Sequence, residues 1–454
     1  MKYIKLFTNN AEYEEYVATK HPLPNVSLAV EENDVHYEPK HDYGKDYLTF
    51  VAKADGTFKF SATTSSAQIN YSLDEGETWT SLASNTNTPT VTSGSKIMWK
   101  AALTPGGVFP SYGIGKFSSS AKFDVEGNPM SLLFGDDFKD KTSLSGKNYV
   151  FFSLFASANV VSAENMSLPA TTLAQGCYYQ MFSGCWNLTT APTSIGDSSA
   201  TIPISACTNM FSYCRSLTTA PQLPATTLAR SCYENMFNEC THLETAPELP
   251  ATTLAELCYN NMFSKCTSLT TAPELPATTL ADNCYSSMFS GCTSLITAPA
   301  LNATTLANGC YTSMFSGCTS LTTAPELPAT TLTFGCYISM FGGCKSLTTA
   351  PELPATTLAN YCYNSMFSGC TSLTEAPQLL ATTLAESCYY KMFNGCSQLN
   401  YIKCLATDIS ASSCTANWVQ GVASSGTFVK AASMTSWTTS NNGIPTNWTV
   451  QDAS

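Results

Sequence analysis

Cysteines at a fixed interval are the strongest constraint on how this chain folds. One series runs from Cys232 to Cys414 in seven steps of 26 residues, and a second runs from Cys240 to Cys396 in six steps of 26. The first 176 residues contain no cysteine. A repeat this regular is typical of a solenoid, in which each copy buries its apolar side only against the next copy.

Each copy predicts a short helix followed by a short strand. Within residues 275–299, Leu280, Cys284 and Met288 recur every four residues, which favours one apolar stripe of a helix that ends at Gly291. Residues 295–298 contain two β-branched residues and precede a proline, as a short strand does. Two such elements cannot bury their apolar faces alone, so we expect successive copies to stack.

Parallel stacking would align matching side chains of successive copies into ladders. Both cysteine columns are interpreted as small apolar core positions, because buried cysteine packs as a small apolar residue. The predicted structural core ladder comprises Cys232, Cys258, Cys284, Cys310, Cys336, Cys362, Cys388, Met262, Met288, Met314, Phe263, Phe289 and Phe315.

Disulfides and metal ligation are the alternative roles for these cysteines. Neighbouring copies would bring matching cysteines within disulfide range, but a chain made in a reducing compartment disfavours such bonds. Metal sites are built from closely spaced cysteine pairs or with histidine. Here the gap between the two columns is eight residues, and His242 is the only histidine in the repeats. We therefore predict no metal and no cofactor.

Composition limits the partners of this chain. It has 33 acidic residues against 21 lysines and arginines, a net charge of −12, and only two arginines. Nucleic-acid binding needs a positively charged footprint, so this function is excluded. The first residues lack the apolar core of a secretory signal, and no segment is long and apolar enough to cross a membrane. We expect a chain made in a cytoplasm, without membrane insertion.

The repeated unit carries a family resemblance. Over residues 168–420 the unit F-x-x-C-x-S-L-T-x-A-P-x-L-P-A-T-T-L-A-x-x-C-Y-x-x-M resembles the BspA-like leucine-rich repeats found on bacterial surfaces and in phage virions. The open ends of such an array need caps. Residues 149–167 resemble a degenerate first coil, and Trp418, Trp437 and Trp448 are placed to cover the last one.

A second resemblance concerns the start of the chain. The segment from Leu23 to Pro39 is similar to a leader of virion proteins from phages and prophages of gut Bacteroidales. This similarity implies an arm that joins the chain to other virion proteins. The alternative is an extended arm that pairs with the next domain.

Between the leader and the repeats, residues 47–142 alternate as a small β-domain does. Residues 47–52 and 58–62 flank Asp55-Gly56, a favoured hairpin turn. Several strands with frequent turns favour an immunoglobulin-like sandwich.

An enzyme is not predicted. The motif from Ser72 to Trp79 resembles the Asp-box of sialidases, but that family needs an arginine triad that two arginines cannot supply. We expect a structural turn held by the aspartate and the tryptophan. Three of the four histidines lie in the leader, far from the cysteines, and there is no G-x-S-x-G motif.

The predicted fold is thus α+β. It comprises an N-terminal arm at 1–46, a β-sandwich at 47–142, a leucine-rich-repeat solenoid of about nine 26-residue repeats at 143–403 and a C-terminal cap at 404–454.

Recognition of a partner by the solenoid surface is the remaining function. Positions that vary between copies are expected to face solvent, and rows of threonine would suit the hydroxyls of glycans as well as protein partners. A solubilising surface without a ligand is the alternative. The candidate binding surface comprises Arg230, Glu256, Asp282, Asn308, Phe334, Asn360, Glu234 and Tyr390.

We therefore predict a phage virion component, a tail fibre or related host-attachment protein, whose solenoid contacts a glycan or protein of the host surface. A structural decoration of the particle and a bacterial cell-surface adhesin are the alternatives. A homo-oligomer such as a trimer is left open.

Overall fold

The structure is a computed structural model. It contains a short N-terminal pair of strands, β1 (Val30–Glu31) and β2 (Asp34–Val35), which are antiparallel. Most of the leader predicted at residues 23–39, with His21, His36 and His41, lies outside the described residues. The structure describes residues 30–31, 34–35, 42–63, 68–103 and 113–453.

The region before the solenoid is built from two facing sheets. The larger sheet has the strand order β10-β9-β3-β7-β5-β6, and the smaller pairs β4 with β8. Short helical segments lie at Tyr43–Lys45, at α1 (Ser131–Phe134) and at Gly135–Phe138. The strands are β3 (Leu48–Ala52), β4 (Phe58–Ala62), β5 (Ile69–Ser72), β6 (Thr80–Leu82), β7 (Lys96–Ala101), β8 (Gly115–Ser119), β9 (Phe123–Glu126) and β10 (Val160–Ser162).

The predicted hairpin around Asp55-Gly56 is wrong. β3 pairs with β7 and β9, whereas β4 pairs with β8 in the other sheet. β7 and β9 thus occupy both positions beside β3, and Gly56 exchanges backbone hydrogen bonds with Val91 instead. Phe50 and Phe58 then face each other across the two sheets, with ring centroids 5.5 Å apart. In the described residues the sheets hold six and two strands, unlike the four and three of an immunoglobulin constant domain.

The Asp-box-like segment is the structural turn that was predicted. The Asp74 carboxylate accepts hydrogen bonds from the Thr78 backbone N–H at 2.9 Å and the Ser72 hydroxyl at 2.7 Å. The Trp79 indole donates to the Gly76 carbonyl at 3.0 Å, which closes the turn.

The solenoid is confirmed, with about ten turns of about 26 residues. The helix predicted in each repeat is wrong, because the described coils contain none. In the coil around residues 282–292, the Cys284, Met288 and Cys292 N–H groups each donate to the carbonyl three residues earlier, which makes consecutive β-turns. Every fourth residue of this turn ribbon is left-handed, as in Asn283 with φ 54° and Gly291 with φ 75°.

Successive coils are joined by parallel backbone hydrogen bonds. Within the turn ribbon, the Tyr285 N–H donates to the Cys310 carbonyl at 3.1 Å and the Phe289 N–H to the Met314 carbonyl at 2.9 Å. The predicted strand of each middle repeat contracts to one bridging threonine. Longer parallel pairs form at β11 (Thr201–Ile202) with β12 (Thr227–Leu228), and among β13 (Tyr401–Cys404), β14 (Thr427–Lys430) and β15 (Thr449–Asp452).

Matching side chains stack along the inside of the solenoid. From Phe182 to Phe393, phenylalanine rings of neighbouring coils lie 5.4–5.8 Å apart and nearly parallel. A tyrosine ladder runs beside them from Tyr233 to Tyr389. Every cysteine, methionine and phenylalanine of the predicted core ladder is buried with no exposed surface.

The β-domain covers the first end of this stack. Residues 149–157 form a first coil, in which the Phe151 N–H donates to the Cys177 carbonyl at 3.0 Å. On its other side, the Phe117 N–H of β8 donates to the Leu154 carbonyl at 2.7 Å, and the Phe117 and Phe155 rings stack at 5.9 Å. One hydrophobic core therefore runs from the sandwich into the coils.

Tryptophans cover the other end. Trp418 is fully buried, stacks on Tyr389 at 6.1 Å and donates its indole N–H to the Gly443 carbonyl at 2.9 Å. Trp437 stacks on its outer side at 5.6 Å, and the Trp448 indole donates to the Ala423 carbonyl at 2.8 Å. These contacts close the apolar stack.

Candidate functional site

The variable residues of the turn ribbons form one continuous row along the solenoid. Each occupies the position just before a left-handed residue, so the ribbon presents it at the same place in every coil. Neighbours in this row contact each other across coils. Arg230 forms an ion pair with Glu256 at 3.2 Å, and Asp282 accepts a hydrogen bond from the Asn308 backbone N–H at 2.9 Å.

An aromatic pair interrupts this polar row. Phe334 is 55% exposed, and its ring centroid lies 5.3 Å from that of Tyr361 in the next coil. Asn360 and Tyr361 both reach Glu386, through an amide contact of 3.4 Å and a phenol contact of 3.2 Å. The residues of this row therefore share one backbone position but differ in the charge, size and aromatic character of their side chains. We call Phe334, Asn360, Tyr361 and Glu386 the aromatic patch.

The two other candidate residues lie in a second column of the same ribbons. Glu234 is half-buried, and its backbone carbonyl accepts the Asn209 N–H of the preceding coil at 2.9 Å. Tyr390 lies under the Lys391 ammonium group, which is 5.2 Å from the ring centroid. The structure does not bring these two residues together, because six coil positions separate them.

Threonines line two further faces of the solenoid. Thr271, Thr297, Thr323 and Thr349 bridge one another in sequence, and their side chains are exposed. A second row contains Thr305, with bridges to Thr331 and on to Thr357. Two rows of exposed threonine hydroxyls are therefore present on the solenoid.

The glutamates of the Pro-Glu-Leu-Pro corners form an acidic column. Glu248 and Glu274 flank a cavity of about 450 Å³ between their coils, and Glu326 and Glu352 flank one of about 300 Å³. Both cavities are walled mainly by proline, alanine and leucine. In the part of the chain that the structure describes, no group of three or more histidine, cysteine or acidic side chains is arranged to hold a metal ion.

The cysteine side chains are buried thiols of low reactivity. All 20 are free and buried, and burial raises the pKa of the Cys284 thiol to about 12. Such a thiol stays protonated at neutral pH and is a poor nucleophile or metal ligand. The second column has a further partner, since the Cys292 Sγ donates to the Phe263 carbonyl of the preceding coil at 3.1 Å.

A polar cavity of about 370 Å³ lies where the β-domain meets the first coils. Asp42, Glu164, Asn165 and Ser194 contribute to its wall. Among the described residues that line it there is no histidine. His242 lies elsewhere on the solenoid, with its Nδ1 2.5 Å from the Arg215 carbonyl. Among the described residues, no helix has the length and apolar character needed to cross a membrane.

Sequence reasoning missed two kinds of surface contact. Glu239 joins Arg215 and Lys265 in one ion-paired network, with both contacts at 2.8 Å. Glu386 likewise joins two residues, accepting hydrogen bonds from Asn360 and Tyr361. The available signal was the repeat itself, because Glu239 and Lys265 are 26 residues apart and therefore adjacent.

Comparisons with protein-family models, with curated proteins and with solved structures found no match to this chain.

Proposed function

We propose that this chain is a non-enzymatic phage virion component, a tail fibre or related host-attachment protein, that recognises the host surface through the exposed face of its turn ribbons. The observation that carries the proposal is the continuous row of side chains running from Arg230 to Glu386. The coil interior repeats the same residues, whereas this row changes in charge, size and aromatic character. A fixed scaffold with one variable face is suited to recognition.

Two further features support the proposal. The resemblance to BspA-like repeats and to a Bacteroidales virion leader connects the chain to phage particles. The exposed threonine rows add neutral hydroxyls, which exchange hydrogen bonds with glycans and proteins alike. In this proposal the arm contacts other virion proteins and the solenoid contacts the host.

A structural decoration without a ligand is the second candidate. Arg230 with Glu256 and Asp282 with Asn308 satisfy one another within the row, as a surface without a partner would. An exposed ion pair such as Arg230–Glu256 contributes only about 0–1 kcal/mol to the free energy of unfolding, so the fold does not depend on it.

The experiment has two measurements. Mass spectrometry of purified phage particles detects the chain if it is a virion component, and immunogold labelling locates it on the particle. Fluorescently labelled full-length chain is then added to cells of Bacteroidales strains, and we expect it to bind and to compete with particle adsorption. Presence on the particle without cell binding supports decoration, and presence only on bacterial envelopes supports an adhesin.

A further inference from the structure

Phe334 is the one aromatic residue at its position in the row from Arg230 to Glu386. In the other coils from 230 to 386 the Phe334 position is occupied by polar residues, namely Arg230, Glu256, Asp282, Asn308, Asn360 and Glu386. One coil before Arg230 the same position is occupied by Ile204, which is also exposed but is not aromatic. A phenyl ring that is 55% exposed leaves apolar surface in water, where burial would have stabilised it. The interior of the solenoid does not use this ring, so its role lies at the surface.

Polar groups lie at the edge of the two rings. The Tyr361 hydroxyl contacts one Glu386 carboxylate oxygen, and the Asn360 amide contacts the other. A carboxylate has about four acceptor sites, so sites remain for further donors. No lysine or arginine of the described chain forms an ion pair with Glu386.

The size and charge of the patch indicate its occupant. A stable protein interface covers about 800 Å² on each partner. One exposed phenyl ring and one partly buried phenol ring present less surface than that. The C–H face of a pyranose ring matches an aromatic ring in size, and its hydroxyls extend from the rim as donors. The carboxylate accepts such hydroxyls and repels acidic sugars, so neutral sugars fit best.

We infer that Phe334 and Tyr361 form a stacking platform for a neutral hexose unit of a surface glycan, with Asn360 and Glu386 binding its hydroxyls. This inference rests on the proposed function and names the ligand class for that same face. The paired residues at Arg230–Glu256 and Asp282–Asn308 lie outside the platform.

The test uses the full chain and residues that other coils already carry. Phe334→Asn copies Asn308, and Tyr361→Ser copies Ser231, which has a similar left-handed φ of 55°. Both changes therefore suit the backbone, and the melting temperature of the double variant verifies its fold. Lys345→Thr is the matched control, since Lys345 is exposed, lies outside the row and is replaced by the residue that Thr319 provides in the preceding coil.

The probe is capsular polysaccharide extracted from the cells that the chain binds, immobilised on a biosensor. We expect the chain to bind this polysaccharide, the double variant to bind at least about tenfold more weakly, and Lys345→Thr to bind within about twofold of the original chain. Mild periodate oxidation of the polysaccharide should abolish binding.

Two results would overturn the inference while leaving the proposed function intact. One is binding of the chain to cells but not to their polysaccharide, which indicates a protein receptor. The other is equal binding of polysaccharide by the original chain and the double variant. Failure of the chain to bind any cells would overturn the proposed function and this inference together.

Discussion

A thiol has one weak proton donor, and the two cysteine columns differ in where that donor goes. In the second column, Cys292 donates to the Phe263 carbonyl at 3.1 Å, and equivalent contacts recur from Cys185 to Cys396. In the first column, among the described residues, only the last two cysteines show such a contact: Cys388 with the Cys414 carbonyl at 4.0 Å, and Cys414 with the Ile409 carbonyl of its own coil at 3.2 Å. The second column is thus more than small apolar filling.

This difference predicts that cysteine-to-serine substitution destabilises the two columns to different extents. In Cys292→Ser the hydroxyl can donate to the same carbonyl, whereas in Cys284→Ser it is buried without an acceptor. We expect Cys284→Ser to lower the free energy of unfolding by about 1–3 kcal/mol, and Cys292→Ser by less. Urea unfolding followed by circular dichroism measures both.

The alanine variants at the same two positions are the controls, because both lose the sulfur without adding a polar group. They should be more alike than the serine variants. Equal destabilisation by the two serine substitutions would contradict the hydrogen-bond role of the second column.

At the scale of the secondary-structure element, the four-residue spacing of apolar residues led to the wrong prediction of a helix. Leu280, Cys284, Met288 and Cys292 are separated by four residues each time, and residues 281, 285 and 289 follow the same step. Four residues of α-helix turn through about 400°, so a strict four-residue period drifts around a helix within three steps. A ribbon of consecutive turns keeps that period in place, and it does so in every coil.

A second signal for the ribbon was present in the sequence. Asn283 and Gly291 are residue types that adopt left-handed conformations most readily, and they fall at the ribbon's four-residue interval. Serine and lysine at equivalent positions, such as Ser287 and Lys265, obscured the pattern. Neither residue type marks a left-handed position by itself.

The backbone conformations of Ser287 and Ser290 predict how valine substitution at each position changes the stability of the fold. Ser287 has φ 56°, whereas the half-buried Ser290 is not left-handed. We expect Ser287→Val to destabilise the fold by about 1–2 kcal/mol, because a β-branched residue is disfavoured at positive φ. Thermal unfolding of Ser287→Val, with Ser290→Val as the matched control and Ser287→Gly as the permissive variant, measures this cost.

Ser287→Gly should unfold at or above the temperature of the unmodified chain. If valine proved equally harmful at both positions, side-chain crowding rather than backbone strain would be the cause.

For the molecule as a whole, the repeat period predicted the stacking but not how the ends are covered. The tryptophans of the last coil were identifiable because three of the six tryptophans of the chain lie between residues 418 and 448. The contact between Phe117 and Phe155 was not, because it joins two regions with unrelated sequence patterns. Likewise, the placement of Phe334 beside Tyr361 follows from the period, but the contact of both Asn360 and Tyr361 with Glu386 depends on side-chain direction.

Because the sandwich and the tryptophans cover the two ends, coils should be removable only from the middle and only in whole units. Deleting residues 231–282 removes two complete repeats and joins Arg230 to Asn283, which occupies the place of Ser231. We expect a soluble protein that retains the ladders, melts cooperatively at a lower temperature and is shorter by about 10 Å, since parallel coils advance about 4.8 Å each. Small-angle X-ray scattering and thermal unfolding measure these properties.

Deleting residues 231–269 removes one and a half repeats, so strand residues of one coil would meet turn residues of the next, and we expect aggregation. Similar stability of the two deletions would show that coils are held by something other than the matched ladders.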